Sequence, residues 1–167
     1  MQHTKQLAKH FRDMHFGGNW TCVNLKDTLA GVTWEQATRK VYSFNTIATL
    51  VYHINYYVIA QIRVLEGGPL DAKDEYSFDV PPITSQAEWE AMLEQVWANA
   101  EQFAALLEQM PDDKLGEFFV EEKYGIYYRH MLGPIEHTHY HLGQITLIKK
   151  IVQSAEVVAG RDEMANV

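Results

Sequence analysis

Three of the chain's eight histidines, His137, His139 and His141, fall within five residues. On an α-helix, residues four apart lie one turn apart on the same face, so His137 and His141 would point together while His139 points elsewhere. Two imidazoles so placed can bind one metal ion, as in the helical histidine pair of zinc proteases. No glutamate follows His137 directly, which disfavours a protease. The spacing also fits a solvated or helix-capping pair, and a metal site needs a third ligand.

The remaining histidines offer five candidates for that third ligand, namely His3, His10, His15, His53 and His130. His53 stands out because it lies in the most apolar stretch of the chain, residues 50–57, where an imidazole is rarely buried without a partner. A core histidine that hydrogen-bonds to a neighbouring tyrosine or threonine is the alternative. The histidine pair and His53 together favour a metal site, provided that helices place them face to face.

The hydrophobic pattern predicts four long helices, at residues 3–15, 34–65, 85–110 and from either Gly133 or Tyr127 to about Val158. Capping boxes at Thr33 with Gln36 and at Ser85 with Glu88 open the second and third helices. Residues 66–84 form a connection long enough to cross the molecule, and residues 115–129 read as a small hairpin or an ordered loop. The sequence therefore predicts an all-α four-helix bundle with a long crossover between helices two and three.

Length and charge narrow the class of protein. A chain of 167 residues is expected to form a single domain spanning residues 1–167. The net charge of −8, without a basic run, disfavours a nucleic-acid or membrane surface as partner. The single cysteine, Cys22, excludes an intramolecular disulfide and a multi-cysteine zinc site. No signal peptide is visible, so the cytoplasm is the expected location.

The chain resembles the DinB/YfiT-like family over roughly residues 20–151. The resemblance is carried by the segment that ends in His53, by the long crossover, and by His137-x-x-x-His141 followed by Gly143-Gln144-Ile145. It implies an up-down-down-up four-helix bundle, often a homodimer, and a divalent metal, often zinc or nickel, with an open water position. The implied metal ligands are His53, His137 and His141. Some relatives transfer low-molecular-weight thiols or use them as cofactors.

Several further residues are candidates for the surroundings of the metal. Tyr57 and Gln144 share the helix faces of the histidines and could form a pocket wall or hold an imidazole by its second nitrogen. Glu136 is a weaker candidate for a general base, because it points about 100° away from His137 and suits a solvated helix-start carboxylate. Cys22 is expected to be an ordinary small residue.

Two function classes follow from this reading. The leading hypothesis is a metal-dependent thiol transferase or hydrolase that acts on a small molecule. The alternative is a non-catalytic, stress-induced dimeric binding or scaffold protein in which the histidines or the metal are structural. A structural zinc normally has four protein ligands, so a fourth ligand from His130 or His10 would favour the scaffold. A role in DNA binding is disfavoured by the acidic charge.

Overall fold

The computed structural model describes residues 2–165, with side chains through Glu156. Within that range the chain forms helices and no β-strand, so the all-α prediction is confirmed. None of the helices described is both long and apolar enough to cross a membrane. The six α-helices are α1 (His3–Phe16), α2 (Leu25–Leu29), α3 (Trp34–Thr38), α4 (Ile47–Leu65), α5 (Gln86–Gln109) and α6 (Tyr127–Ala165).

The four long helices pack around one apolar core. Helix α5 contacts α1 and α4, and α6 contacts the same two helices from its own side. Rings fill the centre, where Phe11 and Phe103 meet edge to face with centroids 4.6 Å apart, an arrangement that aromatic pairs prefer. Trp89 is fully buried, and its indole N–H donates to the Val32 carbonyl at 2.9 Å. The contact between α4 and α6 brings together the two helices that carry His53 and the histidine pair.

The predicted second helix, residues 34–65, is wrong in its middle, because two helices and a loop occupy that range. The Thr33–Gln36 capping box does open α3, as predicted. Helix α4, however, has its own N-cap, since the Thr46 hydroxyl accepts from the Thr49 amide at 3.1 Å. Short polar side chains that bond the backbone compete with a continuous helix. Val41 and Phe44, assigned to the helical face, therefore lie in the loop.

The predicted third helix, residues 85–110, agrees with α5 to within one residue at each end. The hydrogen bonds at its start, however, form only part of a capping box. The Ser85 hydroxyl accepts from the Glu88 amide at 3.2 Å. The Glu88 carboxylate accepts from the amide and hydroxyl of Thr84 instead of from the Ser85 amide. Half of the reciprocal pattern is present, and it still caps the helix start.

Of residues 115–129, those before Tyr127 form an ordered loop instead of a hairpin, and the last three belong to α6. One isolated bridge joins Phe118 to Ile126, and 3₁₀ turns lie at Asp112–Gly116 and Glu122–Tyr124. Helix α6 begins at Tyr127, the earlier of the two predicted starts. Pro134 consequently lies inside the helix and not at its first position.

The crossover between α4 and α5 folds back against α4. A 3₁₀ turn, Asp74–Tyr76, lies within it. The Tyr56 hydroxyl donates to the Lys73 carbonyl at 3.1 Å and accepts from the Lys73 amide at 2.8 Å. These bonds hold the crossover beside the middle of α4, one turn from His53.

Candidate metal centre

Three histidines converge where α4 packs against α6. The Nε2 atom of His137 lies 3.0 Å from Nε2 of His53 and 3.0 Å from Nε2 of His141. One nitrogen from each ring lies within 4.8 Å of the other two, and the group could hold a metal ion. His53 and His141 are buried, while His137 is half-buried. The α4–α6 contact thus brings the mid-helix histidine to the histidine pair.

The outer nitrogen of His53 is held by the crossover. His53 Nδ1 lies 3.0 Å from the Ser77 hydroxyl, which donates its single hydrogen to the Asp74 carbonyl at 2.7 Å. Ser77 can therefore only accept from the ring, so His53 carries its hydrogen on Nδ1. The lone pair of His53 then lies on Nε2, which faces the other two histidines.

The outer nitrogen of His141 is fixed in the same way. Its Nδ1 lies 2.8 Å from the Gln144 carbonyl oxygen, which can only accept, so Nδ1 carries the hydrogen and Nε2 the lone pair. His137 can donate a hydrogen to only one of these two acceptors at a time. Inward lone pairs with outer N–H groups bonded to protein oxygens are typical of histidines that bind a divalent metal.

The three rings are in the form that metal binding requires. Burial lowers the pKa of His137 to about 4, and repulsion from His141 and His53 adds to that effect. Burial is also the main cause that lowers the pKa of His53 and of His141. All three imidazoles are therefore neutral near pH 7, and their lone pairs are available.

Aromatic rings complete the wall around His53. Phe78, from the crossover, stacks on its imidazole with centroids 4.0 Å apart and planes 13° apart. The ring of Tyr57 meets His53 and His137 edge-on, each at a centroid distance of 5.2 Å. The Tyr57 hydroxyl donates to the Asp74 carboxylate. Burial and that bond raise the pKa of Tyr57 to about 12, so its hydroxyl stays protonated at neutral pH.

A cavity of about 550 Å³ opens beside the histidines. Gly133 lies on its wall, and a Cβ atom added there would meet nothing within 4 Å. The Gln61 side-chain oxygen is also buried at this wall and has no hydrogen-bond partner among the described residues. The volume suits a small molecule. The lining residues are His53, Tyr57, Gln61, Asp74, Phe78, Arg129, His130, Gly133, Pro134 and His137.

The other sequence candidates lie outside the cluster. His130 lines the cavity, but its Nε2–H donates to the Tyr124 carbonyl at 2.9 Å, and the described residues that form the cluster do not include it. His10 instead lies near His139, with ring centroids 6.5 Å apart. Glu136 and Cys22 are exposed and do not line the cavity.

Sequence reasoning missed the three crossover residues that support the site, Asp74, Ser77 and Phe78. They lie in a segment without hydrophobic periodicity, where neither helix faces nor motif spacing gives a register. The available signal was weak: the segment is polar, long and follows the histidine-bearing helix directly.

We expect Ser77→Ala to weaken the binding of a divalent ion roughly 10- to 100-fold, because an outer partner fixes the tautomer and orientation of a ligand imidazole. A competition titration with a chromophoric chelator measures the affinity. Ser154→Ala, at an exposed position on α6, is the matched control and should leave the affinity unchanged. Equal affinities for the Ser77 variant and the wild type would contradict the role of this hydroxyl.

Searches against protein-family models, curated proteins and solved structures found no match to the chain.

Proposed function

We propose that this protein is a metal-dependent enzyme of the DinB/YfiT-like family that acts on a small molecule, with His53, His137 and His141 as the metal ligands. The observation that carries the proposal is the convergence of three Nε2 atoms whose rings are neutral. Protein oxygens hold the outer nitrogens of two of those rings. A hydrogen-bonded cluster of three imidazoles without an ion would leave inward lone pairs unsatisfied.

The packing of the long helices supports the same family. Each of α1 and α4 contacts both α5 and α6, which is the neighbour relation of a four-helix bundle. The long crossover between α4 and α5 gives the chain enough length to return along the molecule before α5 begins. We therefore propose an up-down-down-up bundle in which α1, α4, α5 and α6 are the four members.

A divalent ion on three neutral imidazoles, for which zinc and nickel are the best candidates, supplies Lewis acidity and lowers the pKa of a water or thiol that it binds. The described residues provide three ligands and no fourth. A structural zinc site is normally closed by four protein ligands, so this set favours a catalytic site over the scaffold alternative. The adjoining cavity would give a small molecule access to the histidines that would hold the ion.

The chain's own residues define how a substrate would be held there. Phe78 and Ser77 fix the plane of the His53 ring, so the ligand set is preorganised. Tyr57 keeps its proton and serves as a wall and a hydrogen-bonding group, not as a general base. Glu136 does not line the cavity and has no part in the proposal. Thiol transfer and hydrolysis are the two reactions that this arrangement best suits.

The test is the metal content of tag-free protein, followed by a reactivity screen. We expect about one zinc or nickel ion per chain after reconstitution, and thiol transfer or hydrolysis by the loaded protein only. Metal-free protein is the control for the screen. An ion content below about a tenth per chain would contradict the metal site. A full complement of ion without turnover of any thiol, electrophile or ester tested would contradict catalysis.

A further inference from the structure

Arg129 is an uncompensated positive charge on the wall of the cavity. Its side chain is exposed and forms no hydrogen bond or ion pair with any described residue. Two arginines elsewhere are paired, since Arg12 contacts two glutamates and Arg39 contacts Glu156. Arg63 is unpaired among the described residues as well, but it does not line the cavity. The chain as a whole carries 22 acidic residues and a net charge of −8. An unpaired guanidinium beside a cavity in such a protein is a ready partner for an anionic group.

The position of Arg129 sets the length of what it could hold. Arg129 and His137 are eight residues apart on α6, which corresponds to roughly 12 Å along the helix axis. Gly133 lies between them and presents no side chain to the cavity. A molecule that touched both the histidines and the guanidinium would therefore be elongated and would lie along α6.

The cavity also has an acceptor on the wall formed by α4. The buried Gln61 oxygen has no partner among the described residues, and a buried acceptor gains from a donor supplied by a ligand. Asp74 also lines the cavity, and its carboxylate already accepts from Tyr57. A second negative charge close to Asp74 would be repelled. These features favour a ligand with a single anionic group at the Arg129 end and with an N–H or O–H donor that faces Gln61.

We propose that the cavity binds an elongated carboxylate whose reacting end reaches the histidines, whose carboxylate is held by Arg129, and which carries an N–H or O–H donor for Gln61. The carboxylate, with one charge and two coplanar oxygens, matches one guanidinium. The placement of the reacting end at the histidines rests on the proposed function, because a metal bound there would anchor that end. Arg129 is then the residue that selects an acid over a neutral analogue of the same length.

The experiment uses protein loaded with Co²⁺, which stands in for the native ion and gives a near-ultraviolet absorption when a thiolate binds it. The probes are ω-mercaptoalkanoic acids of increasing length and the ω-mercaptoalkanols that match them. We expect the acid to bind roughly tenfold more tightly than the alcohol, but only for chains long enough to reach Arg129. Arg129→Gln should remove this preference. Arg63→Gln, at an exposed α4 position outside the cavity, should retain it.

A second variant tests the path between the two ends. Gly133→Leu adds a side chain where there is open space, so we expect cobalt and short thiols to bind as before and long acids to bind at least roughly tenfold less tightly. Equal binding of acids and alcohols at every length, or an unchanged preference in Arg129→Gln, would overturn this proposal and leave the metal site intact. Failure to take up cobalt would overturn the proposed function as well.

Discussion

His137→Ala should abolish tight binding of a divalent ion. His137 lies between the other two histidines, with its Nε2 atom 3.0 Å from each of theirs. Its loss leaves two ligands on different helices. We expect a loss of affinity greater than roughly a hundredfold, because removing even an outer partner of a ligand costs 10- to 100-fold. Competition with a chromophoric chelator gives the affinity, and far-ultraviolet circular dichroism tests whether the helices remain.

His139→Ala is the matched control, since it removes an imidazole two residues away on the same helix. The described cluster does not include His139. The His139 ring faces α1 instead, where it lies near the ring of His10. We expect its affinity for the ion to equal that of the wild type. A large loss in the His139 variant together with a small loss in the His137 variant would show that the ion binds elsewhere.

Acid should destabilise the protein through His15, whose ring is buried in α1 and donates from Nδ1 to the Phe11 carbonyl at 3.0 Å. Burial lowers its pKa from 6.5 to about 4. Between those two values the unfolded chain binds the proton and the folded chain does not, so the free energy of unfolding falls as the pH falls. The contribution of neutral His15 to the free energy of unfolding is fully present above pH 6.5. About 3 kcal/mol of that free energy is lost as the pH falls below 4.

Denaturant unfolding at a series of pH values measures this effect, and His15→Asn isolates it. Asparagine places an N–H near the position of Nδ1 but does not titrate, so the variant should show a shallower fall in the free energy of unfolding between pH 6.5 and 4. Contributions from carboxylates and from the histidine cluster cancel in the comparison. His10→Asn, on the exposed side of α1, should keep the slope of the wild type. Parallel curves for the wild type and His15→Asn would contradict the prediction.

The parts of the fold that could be predicted are those with a local cause. Repeating apolar residues define the long helices, and hydroxyl side chains mark where α3 and α5 begin. The break between α3 and α4 was missed because Val41 and Phe44 happen to continue the helical spacing. The deciding group was the Thr46 hydroxyl, which caps α4 by a bond only three residues long. The spacing of apolar residues does not reveal whether a threonine hydroxyl will cap a new helix or whether the backbone bonds of one continuous helix will form.

In the candidate site, too, the features with a local cause could be predicted and those that depend on packing between distant segments could not. Residues four apart on a helix must share a face, so the proximity of His137 and His141 follows from sequence. The apolar surroundings of His53 indicate burial, and burial of an imidazole indicates a partner. The identity of that partner, Ser77, depends on how the crossover folds back, and no periodic pattern constrains it. The cavity is likewise a product of packing between elements, and its Arg129 wall could not be anticipated.

The crossover has a consequence for how this protein can vary. Connections between long helices usually tolerate insertions and deletions, because their length matters little to the helices that they join. Here a deletion ahead of Ser77 would move the one hydroxyl that decides which nitrogen of His53 carries the hydrogen. The helices would survive such a change while His53 lost its correct tautomer. The length of this connection is therefore constrained by the tautomer of His53, even though the described connection supplies no metal ligand.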